Sequence, residues 1–194
     1  MRLLSSVAAL SLAAAVTGCA STPAAPRAAS DACSSAPIEG LCIWPNGLEP
    51  AVSPVYVYNE ATIPAPPQVV WDHLTRPLEC PAWFSQAKNV RIEAGPPVIG
   101  AGSVVVWEML GATIRVKVER AEAGKLLAWE GGATGVHAYH AWILVPAGKG
   151  TRVVTVETEN GAVPGLLAPY LRSALHEAHA EWLRGLGEVA QNRR

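Results

Sequence analysis

The sequence predicts an α+β domain in which an antiparallel sheet of seven strands is followed by one long C-terminal helix. Seven short segments rich in β-branched and aromatic residues lie between positions 55 and 159. Turns of hairpin length, marked by Gly and Pro, separate the last six of these segments. Apolar residues then recur at steps of three and four along residues 164–190. A run of strands followed by a helix is typical of the α+β class.

The first strand and two short helices open the domain. Residues 55–63 are rich in Val, Tyr, Thr and Ile, and Pro64 follows them, which predicts a strand that ends there. Residues 68–74 and 79–86 predict two short helices.

The remaining six strands are predicted at residues 90–94, 103–109, 112–120, 126–130, 136–145 and 151–159. Ile114, Val116 and Val118 alternate with polar residues, which predicts a sheet with one solvated face. In the last strand either Glu157 or the alternate residues Val154 and Val156 face inward, and the apolar pattern leaves both open.

The long helix carries an apolar stripe whose members share one face by helical geometry. A proline deep inside a helix clashes with the carbonyl four residues back. We therefore expect a short turn at residues 164–168 and a main helix that begins at Pro169. The stripe consists of Leu171, Leu175, Ala178, Trp182, Leu186 and Val189.

The composition limits the class of function. Half of the 194 residues are apolar, which is enough for a sizeable core, and the formal net charge is −1. A nucleic-acid surface would need clustered Lys and Arg, and the sequence has no such cluster. Seven residues are Trp, and because an indole N–H needs a partner, Trp is found in partly polar cavities as well as in cores.

The N-terminus resembles a bacterial lipoprotein signal peptide. Arg2 precedes an apolar run, and the run ends in Val16-Thr17-Gly18-Cys19, which is similar to a lipobox. The resemblance implies that residues 1–18 are removed and that Cys19 is lipidated; an ordinary secretory signal is the alternative. Ala20 rather than Asp follows the cysteine, which implies the periplasmic face of the outer membrane. Residues 19–32 then predict a flexible tether.

Three further cysteines follow, and an exported protein meets an oxidising compartment. Three thiols can form one bridge in three ways. We favour Cys33 with Cys42 because the loop between them is short, which leaves Cys80 as a buried thiol. We assign residues 33–54 to an extension that holds this bridge and residues 55–191 to the main domain.

Several motifs in the domain together resemble the SRPBCC (START-like, helix-grip) superfamily, in its polyketide cyclase/dehydrase and lipid-transport branch. The segment Ile63-Pro64-Ala65-Pro66-Pro67-Gln68-Val69-Val70-Trp71 is similar to the family's entry into the first small helix. Shorter similarities follow in chain order, at Pro81-Ala82-Trp83, Gly100-Ala101-Gly102-Ser103, His140-Ala141-Trp142-Ile143-Leu144, Gly150-Thr151-Arg152-Val153 and His179-Ala180-Glu181-Trp182-Leu183.

The resemblance implies a seven-stranded sheet curved around the C-terminal helix, with a hydrophobic cavity between them and the two small helices as its roof. His140, Trp142 and Leu144 share one strand face because side chains alternate along a strand. The residues expected to line the cavity are Trp83, Trp107, Trp129, His140, Trp142, Leu171, Leu175, His179 and Trp182.

The candidates for acid–base catalysis are His140, Glu157 and His179. The alternative is a single histidine that is hydrogen-bonded inside the sheet. We expect no metal site, because His137 and His140 fall on opposite strand faces and His176-Glu177-Ala178-His179 lacks the zincin spacing. No cofactor is expected.

Three functions remain open from the sequence. The favoured one is an envelope-anchored lipoprotein that binds a hydrophobic small molecule or lipid, with the lipid anchor as its membrane contact and no nucleic-acid partner. The second is a cyclase-, aromatase- or dehydratase-like enzyme. The third is a non-catalytic interaction module whose interior is filled by side chains.

Overall fold

The computed structural model describes Ile38 and residues 41–192 of the chain. Within these residues, seven strands, two α-helices and one 3-10 helix form the domain. The strands are β1 (Val55–Ile63), β2 (Lys88–Ala94), β3 (Val104–Met109), β4 (Ala112–Glu122), β5 (Leu126–Gly132), β6 (His137–Ala147) and β7 (Gly150–Asn160). The helices are α1 (Pro67–Leu74), the 3-10 helix (Pro77–Ala82) and α2 (Ala162–Asn192).

The predicted α+β class is confirmed, and both ends of every strand agree with the sequence expectation to within two residues. The second small helix differs, because it is a 3-10 helix that begins at Pro77 and ends at Ala82. Pro81 lies inside it and lacks the N–H that an α-helix would need there. The long helix has a non-helical residue, Leu167, just before Pro169, which matches the position of the expected break. The helix nevertheless begins at Ala162, so the residues before the break are helical and do not form only a turn.

The seven strands form one antiparallel sheet in the order β1-β7-β6-β5-β4-β3-β2. The first strand therefore lies beside the last strand, and the two pair over their full lengths, from Val55 opposite Glu159 to Ile63 opposite Thr151. This register joins the two ends of the domain and leaves β1 and β2 as the sheet edges.

The helix α2 covers the inner face of the sheet. Its fully or nearly buried residues include Leu175, Ala178, Trp182 and Leu186, whereas Val189 of the predicted stripe is only half-buried. The buried residues of α2, the inward residues of the strands and Phe84 together form the larger of two apolar clusters. Asn59 on β1 donates a hydrogen bond to the carbonyl of His176 at 3.1 Å, which fixes the helix along the sheet.

The outer face of the sheet is not uniformly solvated. On β4 the polar residues that alternate with Ile114, Val116 and Val118 are exposed, as expected. On β5, β6 and β7 the outer face instead packs against the segment that precedes β1, and Ile43, Trp44 and Leu48 are the buried apolar residues of that segment. The expectation of one wet face is therefore wrong for this half of the sheet, because residues from the extension cover it.

The cysteines and the N-terminal predictions are only partly within the described region. Cys42 is disulfide-bonded, and Cys80 is a free, buried thiol. Burial raises the pKa of the Cys80 thiol to about 12, so the thiol is not a reactive nucleophile. Cys19, Cys33 and the predicted signal peptide and tether lie outside the described residues. None of the described helices combines the length and apolar character required to cross a membrane.

Candidate functional site

A single row of side chains crosses the inner face of five strands. Glu157 on β7 lies opposite His140 on β6, and His140 lies opposite Trp129 on β5. Val57 and Val118 extend the row at its two ends. Directly opposed residues of neighbouring strands share a sheet face, so the register alone places a carboxylate, an imidazole and an indole side by side.

The helix α2 adds a second imidazole to this row. His179 Nε2 lies 2.9 Å from Glu157 Oε2 and donates a hydrogen bond to it. His140 Nδ1 lies 3.4 Å from the same oxygen. The two imidazole rings stack with their centroids 4.6 Å apart. The three residues, all buried, form what we call the His–Glu–His cluster.

His140 is held from its other side as well. Its Nε2 lies 2.6 Å from the hydroxyl of Thr155, which fixes the orientation of the ring. Burial, and secondly the neighbouring His179, hold the pKa of His140 well below its ordinary value of 6.5. A charged imidazolium is disfavoured in a poorly solvated site, so His140 is neutral at physiological pH.

Glu159 is a second buried carboxyl beside the cluster. It lies two residues after Glu157 on β7, so both side chains share the inner face. Burial, and secondly the charge of Glu157, raise the pKa of Glu159 to about 8. Its Oε2 has no hydrogen-bond partner within the described part of the chain. A protonated carboxyl at this position is able to donate a hydrogen bond at neutral pH.

Aromatic rings surround the cluster. The rings of Trp129 and Trp182 lie 5.0 and 5.8 Å from the ring of His140. The ring centroid of Trp142 lies 5.3 Å from that of His140 and 5.0 Å from that of Trp182. Trp107 meets Trp129 edge to face at 6.0 Å. These rings exclude water, which explains the strong burial of the cluster.

A cavity of about 320 Å³ lies beside the cluster. His140, Glu157 and Glu159 are its polar inner residues, and most of its other lining residues are apolar. It reaches the surface at Leu110, which is 46% exposed, and at Tyr170, which is 65% exposed. The site is thus an apolar chamber with a polar inner wall.

A smaller cavity of about 40 Å³ lies under the roof formed by α1 and the 3-10 helix. It is separated from the larger cavity by Trp107, Trp129 and Trp182, which line both. Its volume leaves room for little more than a water molecule. We therefore place the candidate site in the larger cavity.

The structure places the predicted cavity residues in three groups. Trp107, Trp129, His140, Leu171, Leu175 and Trp182 line the larger cavity. Trp83 lines only the small roof cavity. Trp142 and His179 are fully buried behind the cavity wall, where they contact His140 rather than the open space. Glu157, whose direction was open from the sequence, faces inward.

Two functional residues were not identified from the sequence, Thr155 and Glu159. Both lie on β7 at steps of two from Glu157. Once Glu157 is known to face inward, the strand period places both of them on the same face. The missing information was the direction of the strand, because Val154 and Val156 are also buried, against the outer cluster.

The arrangement supports three kinds of chemistry. Neutral His140 can accept a hydrogen bond from a polar group of a ligand, and protonated Glu159 can donate a hydrogen bond to one. The same groups can move protons, since two titratable groups with displaced pKa values lie at one cavity wall. The His–Glu–His cluster also brings three potential ligand atoms within 4.8 Å of one another, an arrangement compatible with a metal ion, which the local spacing of the histidines did not indicate.

Solved structures of similar fold come from several bacteria. A hypothetical protein of Helicobacter pylori superposes with a TM-score of 0.70 at 23% identity, over 76% of this chain and 95% of that one. TTHA0849 of Thermus thermophilus superposes with a TM-score of 0.57 at 24% identity, over 70% and 97% of the two chains. The Zhui aromatase/cyclase of Streptomyces sp. R1128 gives a TM-score of 0.59 at 19% identity, over 71% and 94%.

At these identities the similarity establishes the fold, and no curated protein matches the chain in sequence. The family model described as "Polyketide cyclase / dehydrase and lipid transport" matches residues 54–191, which includes every strand, both α-helices up to residue 191 and all members of the His–Glu–His cluster. The predicted helix-grip fold is confirmed, and the chain belongs to the polyketide cyclase/dehydrase and lipid transport family.

Proposed function

We propose that this protein binds a hydrophobic small molecule in the larger cavity and orients it through the polar inner wall. The observation that carries the proposal is an apolar chamber of about 320 Å³ that ends at His140, Glu157 and Glu159. Ligand sites in proteins are largely apolar and hold a few polar groups that fix orientation. The chamber has this composition.

The size of the chamber limits the class of ligand. Small-molecule pockets range from about 300 to 1,000 Å³, so this cavity is near the lower end. It favours one compact ring system or a single acyl chain over a lipid with two chains. The indole N–H groups of Trp107 and Trp182 are buried without a hydrogen-bond partner among the described residues. Both line the cavity, and both can donate to a carbonyl or carboxylate of the ligand.

The cellular setting is a second part of the proposal. We infer from the lipobox-like sequence ending at Cys19 that the domain is anchored to the cell envelope, at the periplasmic face of the outer membrane. Several acyl chains on one cysteine give stable anchoring, because each buried CH₂ contributes about 0.8 kcal/mol. A domain held in this way meets hydrophobic molecules of the envelope rather than cytoplasmic intermediates.

Native mass spectrometry on the chain from Ser30 onward, exported without its lipid anchor and purified without detergent, tests the binding function. We expect a discrete added mass that is lost on denaturation. Leu171→Trp places a larger side chain in the cavity wall and should reduce the bound fraction. Leu166→Trp is the matched control, because Leu166 is 82% exposed on the same helix. Equal occupancy in both variants would contradict binding in this cavity.

A second function is favoured by the geometry of the cluster, namely acid–base catalysis of the cyclase or dehydratase type. His140 and Glu159 would act as proton acceptor and donor on a carbonyl-bearing substrate. The test is deuterium incorporation into a simple 1,3-diketone in D₂O, followed by mass spectrometry. Catalysed exchange that is lost in His140→Gln and kept in His137→Gln, whose side chain is exposed, would support this catalytic function. Exchange at the uncatalysed rate would exclude it.

A further inference from the structure

We propose that His140, Glu157 and His179 bind a divalent transition-metal cation of the Zn²⁺ class at the inner wall of the cavity. Each residue offers one ligand atom, and the three atoms lie within 4.8 Å of one another. The residues come from β6, β7 and α2. Three separate elements of the fold therefore converge on one point, which no local sequence motif describes.

The two distances that involve Glu157 agree with a tetrahedral site after a small movement, and the nitrogens of His140 and His179 lie within 4.8 Å of each other. Zinc binds nitrogen and carboxylate oxygen at about 2.0–2.2 Å, so neighbouring ligand atoms of a tetrahedral site lie roughly 3.3–3.5 Å apart. His140 Nδ1 and Glu157 Oε2 are already 3.4 Å apart. His179 Nε2 and Glu157 Oε2 are 2.9 Å apart, and this pair would open by roughly half an ångström as the cation replaces the shared proton.

The surroundings of His140 are those of a metal ligand. Metal-binding histidines usually donate their other ring N–H to a hydrogen-bond acceptor, which fixes the tautomer. Thr155 Oγ1 lies 2.6 Å from His140 Nε2 and can accept this proton. The lone pair of Nδ1 then points to the side of Glu157. The Thr155 hydroxyl thus acts as a positioning group for the proposed site.

The ligand set also leaves room for a further ligand. Two histidines and one glutamate are the protein ligands of one class of zinc sites, in which the fourth position is kept by water or substrate. His140 and Glu157 line the cavity, whereas His179 is fully buried. The open position would accordingly face the cavity. One carboxylate balances half of the cation's charge, and Glu159 supplies a second carboxyl nearby.

Metal titration of the full mature chain tests the proposal. The protein is purified without an affinity tag in a non-ionic detergent, stripped with a chelator, and titrated with Co²⁺ by visible absorbance and with Zn²⁺ by competition with a chelating dye. We expect one cation per chain and a tetrahedral Co²⁺ spectrum. Glu157→Gln and His179→Gln should each weaken binding by roughly tenfold or more.

The matched controls are His137→Gln and His176→Gln, which alter exposed histidines on the same two elements as His140 and His179. Both should bind the cation as the unaltered protein does. Absence of stoichiometric binding by the unaltered protein would overturn the proposal. So would binding that persists in Glu157→Gln and His179→Gln but is lost in either control.

A second variant keeps the test valid if a ligand substitution prevents folding. Thr155→Val leaves all three ligands in place and removes only the hydroxyl that positions His140, so it should weaken binding while circular dichroism stays unchanged. A Zn²⁺-dependent rise in Tm that is smaller in Thr155→Val supports the site, and equal rises contradict it. No organic ligand enters these measurements, so their outcome is separate from that of the cavity-binding test.

Discussion

His140 shows how a single residue takes its properties from its neighbours. Thr155 holds one ring nitrogen, Glu157 lies near the other, and Trp129, Trp182 and His179 surround the ring. Because the ring is shielded from water, its neutral form is favoured. Glu159 is shifted in the opposite direction for the same reason, since burial penalises the charged form of an acid as well. Both residues of the cavity wall are therefore uncharged near neutral pH.

These two shifts predict a stability maximum between acid and neutral pH for the metal-free protein. His140 binds a proton more readily when unfolded, so its contribution to stability is lost as the pH falls below about 6.5. Glu159 binds a proton more readily when folded, so its contribution is lost as the pH rises from about 4.5 to about 8. Between pH 4.5 and pH 6.5 the two residues change the free energy of unfolding in opposite directions as the pH rises.

Urea unfolding at a series of pH values, with a chelator present, measures this dependence. We expect the free energy of unfolding to decrease above pH 6.5 by at most about 1.4 kcal/mol per pH unit. Glu159→Gln should flatten this alkaline arm, and His140→Gln should flatten the acid arm. An alkaline arm that is unchanged in Glu159→Gln would show that Glu159 is not protonated in the folded protein.

At the scale of elements, the contact between α2 and the roof depends on close approach. Gly185 is buried on α2, and a Cβ at this position would overlap the carbonyl oxygen of Trp83. Gly187, two positions further on, has Ile63 Cγ1 at 3.7 Å from an added Cβ, which is ordinary van der Waals contact. The helix can therefore accept a methyl group at one glycine and not at the other.

Gly185→Ala should destabilise the protein, whereas Gly187→Ala should not. Overpacking costs roughly 1–3 kcal/mol, so we expect a net loss for Gly185→Ala even though alanine favours helix by about 1 kcal/mol. Gly187→Ala gains that helix propensity and should be neutral or stabilising. Thermal unfolding followed by circular dichroism measures both. Similar Tm values for the two variants would show that the roof can shift away from the helix and accommodate the added methyl group.

The segment before β1 acts as a cover for the outer face of the sheet. Trp44 is 5% exposed and contacts Tyr56 and Tyr139 edge to face, with ring centroids 6.0 and 5.8 Å apart. Thr158 donates a hydrogen bond to the carbonyl of Leu48 at 2.8 Å. These contacts bury the outer side of β6 and β7, which makes the extension part of the folded unit.

Trp44→Ala should therefore destabilise the domain strongly. Loss of a buried tryptophan costs about 3–5 kcal/mol, and here it would also expose the two tyrosine rings. Val52→Ala, in the same segment but 61% exposed, should leave the free energy of unfolding nearly unchanged. Urea denaturation of the unaltered protein and of the two variants measures the three free energies of unfolding. A small effect of Trp44→Ala would mean that the cover is only loosely held.

At the scale of the whole molecule, the cavity opens between the β3–β4 turn and the start of α2. Leu110 in the turn and Leu167 and Tyr170 in the helix are exposed apolar residues at this opening. The helix is interrupted at Leu167, next to Pro169. A hydrophobic ligand would thus meet an apolar rim before it enters the chamber.

The anchor proposal makes a prediction about the complete protein in the cell. Cys19→Ser should abolish incorporation of a labelled fatty acid and move the protein from the membrane fraction to the soluble fraction. Cys80→Ser is the control, because Cys80 is a buried thiol within the domain, and it should leave labelling and fractionation unchanged. Labelling that survives Cys19→Ser would assign the modification to another residue.

The local pattern of the sequence was sufficient for the elements of the fold. The clean alternation of residues 113–119 and the apolar stripe of α2 each report one buried face, because the partner surface lies on one side only. β7 shows the limit of this reasoning. Both of its faces are buried, as the extension covers one and α2 covers the other, so the apolar pattern could not orient Glu157.

The sequence by itself therefore determined the α+β class, the order of strands and helices, and three residues of the site, namely His140, Glu157 and His179. The tertiary structure decided that Glu157 faces inward, that Glu159 joins it, and that His179 meets Glu157 from the helix at 2.9 Å. The physical reason is that periodicity specifies which residues share a face. Contacts between distant elements depend on strand register and on where the helix crosses the sheet, and neither is encoded in a local pattern.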